Sequence, residues 1–186
     1  MLLLGVGGGS VIRLLHHYLQ PESVVGVELN PIHLQVARDF FEAEQPGVTL
    51  VEGDARAWVE SYRGEPFDMV IDDLFGDTDG EAERAITASG VWMGSLARLL
   101  TPEGALVINF GSREELRGSG YFTNQRVTRR FNAVHELTLP LFENAIGVFL
   151  GEALQPSELH TSLQELSGVG ALYVDGRPKY RLRRIE

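Results

Sequence analysis

The chain contains no cysteine. Disulfides and thiolate metal sites are therefore excluded, and nothing conflicts with a reducing cytoplasm, the location expected here. Positive charge is scarce: 16 Lys and Arg stand against 26 Asp and Glu, a net charge of −10. Nonspecific nucleic-acid binding needs a positive face, so this balance argues against such a partner. An acidic surface serves solubility first and would also suit a cationic substrate. No run approaches the roughly 18 apolar residues of a membrane span, and no membrane partner is expected. The opening Leu2-Leu3-Leu4 breaks into glycine and has no basic region before it, unlike a signal peptide. The five histidines show no metal spacing, so no metal is expected. His16 and His17 are neighbours on a helix, where adjacent residues face different ways. His33, His135 and His160 stand alone, and all five fit surface or packing roles. There is no Ser-His-Asp arrangement and no Walker-type lysine.

What is present begins at once. The 186 residues, 44% of them apolar, suffice for one domain, expected to span residues 1–186. Leu2 to Leu4 form a short apolar strand that runs into Gly5-Val6-Gly7-Gly8-Gly9-Ser10. A helix-compatible stretch, Val11 to Leu19, follows, and then a second apolar strand, Val24 to Val27, that ends on Glu28. Strand, glycine turn, helix, strand and acid build a nucleoside cradle. The glycines let the backbone approach the ligand, and the acid, about 20 residues on, can accept hydrogen bonds from ribose hydroxyls. A dinucleotide fingerprint reads G-x-G-x-x-G. Here Gly5, Gly7 and Gly9 read G-x-G-x-G, and Ser10 takes the third-glycine slot. That spacing suits an adenosine without pyrophosphate and resembles S-adenosylmethionine (SAM) enzymes of the doubly wound class.

Further along, Asn30-Pro31 is a helix start, with Asn as N-cap and Pro in the first helical position. Ile32, Val36 and Phe40 recur at i, i+4 and i+8, an apolar stripe along one face of that helix. Thr49 to Glu52 reads as a third strand, and Trp58, Val59 and Tyr62 sit on a short helix after it. Phe67 to Asp73 is a fourth strand with an acidic tip. Gly76 to Glu83 reads as a polar loop, followed by a helix through Trp92, Leu96 and Leu100. Pro102-Glu103-Gly104 marks a turn before a fifth strand, Ala105 to Phe110. A helix interrupted at Gly118 and Gly120 is expected over Glu114 to Phe131. Val134 to Leu139 and Ala145 to Leu150 read as an antiparallel pair, and Pro156 to Leu166 as a helix. Asp175-Gly176 signals a hairpin in the tail. There Lys179, Arg181 and Arg183 alternate with Tyr180 and Leu182, as a charged edge strand would. The alternation of strands and helices predicts an α/β fold with a mostly parallel sheet.

In an open parallel sheet, ligands bind beyond the C-terminal strand ends. Glu28, Asp54 and the Asp72-Asp73 pair all fall at such ends. Asp54 can accept a hydrogen bond from an adenine amine, and it can equally cap the helix that follows. Two adjacent acids after an apolar strand are costly unless they face a cleft or a partner. Asp73 is the one assigned to chemistry.

Leu2 to Arg13, Val24 to Asn30, Val51 to Ala55 and Phe67 to Asp73 together resemble the spermidine synthase family of polyamine aminopropyltransferases. Pro140-Leu141-Phe142 and Gly147 to Leu150 are similar to that family's late strands. The likeness covers residues 2–153. It implies a doubly wound, Rossmann-like sheet of the SAM-methyltransferase type, with SAM or decarboxylated SAM as co-substrate. Glu28 would hold the ribose and Asp54 the adenine. The cofactor contacts it implies are Gly5, Gly7 and Gly9 with Glu28, Asp54, Ala55 and Asp72. Asp73 would orient and deprotonate the attacking amine, because an ammonium has no lone pair with which to attack. The acceptor would be a small amine or another small molecule, and the assembly a homodimer. Three departures stand out. The family's glycine loop carries an acid where this chain has Gly8. Its second carboxylate falls at Gly76, and Asp77 lies one step late. The family's N-terminal β-rich segment has no counterpart before Leu2. Three readings follow: an aminopropyltransferase-like enzyme using Asp73 and Asp77, a SAM-dependent methyltransferase, and a non-catalytic adenosyl-ligand-binding module.

Overall fold

The computed structural model describes residues 1–78, 80–165, 173–174 and 177–185. The elements run β1 (Leu2–Leu4), α1 (Ser10–Tyr18), β2 (Val24–Glu28), α2 (Pro31–Phe41), β3 (Val48–Glu52), α3 (Ala55–Ser61) and β4 (Phe67–Asp72). Then come β5 (Phe75–Thr78), β6 (Glu81–Arg84), α4 (Gly90–Ala97) and β7 (Leu100–Phe110). Three short helices, α5 (Arg113–Arg117), α6 (Gly120–Thr123) and α7 (Gln125–Thr128), lead to β8 (Ala133–Thr138) and β9 (Ala145–Leu150). The chain continues through α8 (Pro156–Glu165), β10 (Tyr173–Val174), β11 (Arg177–Pro178) and β12 (Arg181–Arg184).

Eight strands form one sheet in the order β12-β8-β9-β7-β4-β1-β2-β3. From β3 to β7 the pairing is parallel. The late strands β9, β8 and β12 add on antiparallel, as the sequence predicts for β8 and β9. The chain builds outward from β1 through β2 to β3, then returns to β4 on β1's other side. This reversal opens a crevice at the C-terminal tips.

Strand alternation supplies two cores, one per face. Leu2 and Leu4 join Val70, Leu106, Ile108 and Phe110 beneath Trp92, Met93 and Leu96. Leu3 points the other way, among Ile12, Leu34 and Ala37.

The Ile32–Phe40 stripe is not the buried face of α2: Ile32 is 66% and Phe40 76% exposed, whereas Leu34 and Ala37 are buried. The glycine turn sets this phase. A Cβ at Gly9 would come 2.8 Å from the Cβ of Ala43 and 3.5 Å from that of Ala37, so only small side chains fit beneath the turn. The structure corrects several readings. The polar stretch Gly76 to Glu83 is a hairpin rather than a loop, with Phe75 opposite Arg84 and Thr78 opposite Glu81. Gly80 takes φ +85° there, the left-handed conformation a tight turn needs. Leu100 begins β7 instead of ending α4, and Pro102-Glu103-Gly104 drops out of the ladder as the pairing jumps from Leu100 to Ala105. The region expected as one interrupted helix is three: α5 stops at its C-cap, Gly118, and Asn124 ends α6 and caps α7 by accepting from the Arg126 N–H at 3.0 Å. Asp175-Gly176 lies outside the described residues; the flanking Tyr173–Val174 and Arg177–Pro178 pair antiparallel.

Candidate functional site

The strand tips bring the predicted acids to one edge. Glu28 ends β2, Asp54 caps α3 after β3, and Asp73 follows β4 directly. Asp54 accepts a hydrogen bond from the Ala57 N–H at 2.8 Å, the capping role foreseen for it. The glycine turn crosses in front. Gly5 has φ +85°, and a Cβ there would overlap the Asp73 carbonyl, so glycine is what lets β1 and the β4 tip meet.

Glu28 is 9% exposed and organises the turn. One carboxylate oxygen accepts from the N–H groups of Val6 at 3.0 Å and Gly7 at 2.9 Å. The other accepts from Asn30 N–H at 2.9 Å, with His33 Nδ1 3.5 Å away. A carboxylate offers about four acceptor directions. Three are taken by backbone, which leaves one for a ligand.

In front of these groups lies a cavity of about 600 Å³. Gly5, Gly7, Glu28, Asp54, Ala55 and Asp73 all line it. Two predicted residues do not. Gly9 packs under α2, and Asp72 is turned into the protein. Asp72 is fully buried, accepting from Arg84 Nη2 and Trp92 Nε1, each at 2.8 Å. Alternation explains the split: Asp72 faces the Trp92 core, so its successor faces the crevice. The side chain of Asp77 lies outside the described residues. Leu29, His33, Arg56, Phe75 and Ile86 also line the cavity and were not foreseen. Leu29 adjoins Glu28 in sequence, a signal that was available; Phe75 and Ile86 arrive only through the hairpin.

Asp73 is held from the side. Asn109 Nδ2, at the end of β7, donates to Asp73 Oδ1 at 2.9 Å. Asn144 Nδ2 donates in turn to Asn109 Oδ1 at 3.2 Å. The pair of asparagines fixes one oxygen of the carboxylate beside the cavity. No sequence motif announced it, because the three residues are far apart in the chain. Among the described residues, no group of three or more His, Asp or Glu is placed to hold a metal ion, and no helix is long and apolar enough to cross a membrane.

Truncating Glu28 tests the turn. In Glu28→Ala the Val6 and Gly7 N–H groups lose their acceptor, and the cost falls on the ligand site. Titration calorimetry with SAM should show at least tenfold weaker binding, about 1.4 kcal/mol or more. Unchanged affinity would remove Glu28 from the site.

Known proteins resemble this chain. A polyamine aminopropyltransferase of Chromobacterium violaceum is 31% identical over 117 residues, 62% of this chain and 43% of that protein. The eEF1A lysine and N-terminal methyltransferase homolog of Drosophila pseudoobscura pseudoobscura is also 31% identical, over 62% of this chain and 18% of its own length. The chain therefore spans less than half the length of either. A solved structure of a probable spermidine synthase from Corynebacterium glutamicum superposes over 98% of this chain and 65% of that one, with a TM-score of 0.73 at 21% identity, a likeness of fold. A family model described as a methyltransferase domain matches residues 1–104, which carry the glycine turn, Glu28, Asp54 and Asp73. The chain belongs to the methyltransferase domain family.

Proposed function

We propose that the chain is a transferase that binds intact SAM in the cavity before Gly5 to Gly9 and moves its methyl group to an amine placed by Asp73. Gly8 carries this reading. A carboxylate there would neutralise the ammonium of an aminopropyl chain, and it would repel the carboxylate that SAM has and decarboxylated SAM lacks. At Gly8 there is no charge, and a Cβ would already be 3.4 Å from the Phe41 ring. Glu28 would take the ribose through its remaining acceptor direction and Asp54 the adenine edge. The amine nitrogen attacks the methyl carbon, the sulfur–methyl bond breaks, and the sulfonium leaves as a neutral thioether. The proton released by nitrogen passes to Asp73. Methyl transfer needs alignment above all, and the Asn144–Asn109–Asp73 chain supplies it.

A second reading has its own support. The aminopropyltransferase likeness extends to Asp73, and an amine nucleophile is common to both reactions. Calorimetry with SAM, decarboxylated SAM and methylthioadenosine separates them. SAM should bind at least tenfold tighter than the decarboxylated form. The reverse order would establish the aminopropyl reading, and no binding of any of the three would leave neither.

A further inference from the structure

At the sheet's far edge, three guanidinium groups share one carboxylate and a fourth, Arg181, stands beside them. Glu136 of β8 is 1% exposed. Arg183 forks onto it, with Nε and Nη2 each 3.0 Å from one carboxylate oxygen. Arg113 Nε lies 3.2 Å away and Arg117 Nη2 3.9 Å. Register brings them together. Arg181 stands opposite Thr138 and Arg183 opposite Glu136, so both share the face on which α5 presents Arg113 and Arg117. Arg113 Nη2 also donates to Thr138 Oγ1 at 3.1 Å. Arg181 is exposed and has no carboxylate partner among the described residues.

Two of the four arginines, Arg113 and Arg181, face a cavity of about 570 Å³. Its walls are Arg113, Arg181 and Thr138, with the apolar Leu139, Pro140 and Phe142. Ser112 and two acids, Glu114 and Glu143, complete the rim. Both acids are exposed, and with Glu136 they do not balance the four cations. In a chain of net charge −10, the cavity's lining holds as many cations as anions.

The cavity is also placed with respect to Asp73. A smaller one, about 300 Å³, shares Leu139 and Phe142 with it and is lined by Asn109 and Asn144 as well. Asn109 is the residue that holds Asp73. The two cavities lie on opposite faces of the sheet, Asn109, Ile146 and Leu137 on one and Phe110, Ala145 and Thr138 on the other, and they meet beyond the strand tips at Leu139 and Phe142; the tips of β4 and β8 are three strand spacings apart. The lateral part of the path alone is roughly 14 Å.

We infer that the arginine-lined cavity binds the carboxylate or phosphate of an elongated acceptor whose amine lies at Asp73. The amine end rests on the proposed function; the anion end rests on the arginines alone. A four-carbon diamine reaches only roughly 6 Å by standard bond lengths, and it would bring a second cation to a cluster of cations. Four extended residues span about 14 Å, so amidated tetrapeptides are suitable probes.

The test is calorimetric titration of Gly-Ala-Ala-Glu-amide, its phosphoserine counterpart and Gly-Ala-Ala-Lys-amide. One or both acidic peptides should bind at least tenfold tighter than the lysine peptide, and the comparison between them tells carboxylate from phosphate. Arg181→Glu should abolish that preference with melting temperature and SAM affinity unchanged. Equal binding of acidic and basic peptides, or a preference that survives Arg181→Glu, overturns the inference. Methyl transfer to the peptide amine is read separately. A peptide that binds through Arg181 but is never methylated in the presence of SAM refutes the methyl-transfer reading and leaves the anion site standing.

Discussion

Asp72→Ala is expected to unfold the protein more readily than any other single change in the site region, by about 3–5 kcal/mol. The reason is what it leaves behind. Arg84 is 3% exposed at its side chain and anchors the hairpin by donating to Asp72, to the Asn109 carbonyl at 2.7 Å and to the Ile86 carbonyl at 3.0 Å. Without Asp72 its charge stays buried with Glu115 as the remaining partner, 3.1 Å away and 31% exposed at its side chain. Trp92 Nε1 loses its acceptor as well. Thermal unfolding should fall by on the order of 10 °C. The double variant Asp72→Asn, Arg84→Met should recover most of that loss, because Asn still accepts from Trp92 and no buried charge remains. A fall in SAM affinity at unchanged melting temperature would instead return Asp72 to the cofactor site.

Asp72 and Asp73 also show what the sequence could and could not disclose. The pair stood out in the sequence because two acids ending an apolar strand need a reason. Which one faces the cavity is a matter of strand phase, and phase comes from the buried residues that flank it. The glycine turn, Glu28 and Asp54 were legible because each is tied to a strand end within a few residues. Asp54 proved to cap its helix while lining the cavity, as both readings allowed. Local patterns failed where a distant backbone decided. The inward face of α2 is chosen by the space beneath Gly9, so the bulky Ile32 and Phe40 lie outside despite their spacing. The Asn109–Asn144 support and the arginines around Glu136 join residues 35 and 47 positions apart. No window along the chain contains them.

Asp73→Asn should lower turnover by roughly 10²–10⁴-fold and leave SAM affinity within about threefold, since the substitution removes a base and keeps the shape. Asn109→Leu separates the two duties given to Asp73. It keeps the carboxylate but removes the hydrogen bond at 2.9 Å that fixes it, so a loss of about 10–10²-fold is expected from misplacement alone. Raising the pH then distinguishes the variants. An acceptor α-amine loses its own proton near pH 8, so above that value a base is no longer required. Asp73→Asn should regain activity with alkaline pH as the free amine accumulates, whereas Asn109→Leu should not, because misorientation does not titrate. If Asp73→Asn turned over at the parental rate at neutral pH, the carboxylate would not be the group that accepts the proton. The asparagines would then be holding a structural acid at the rim of the cavity.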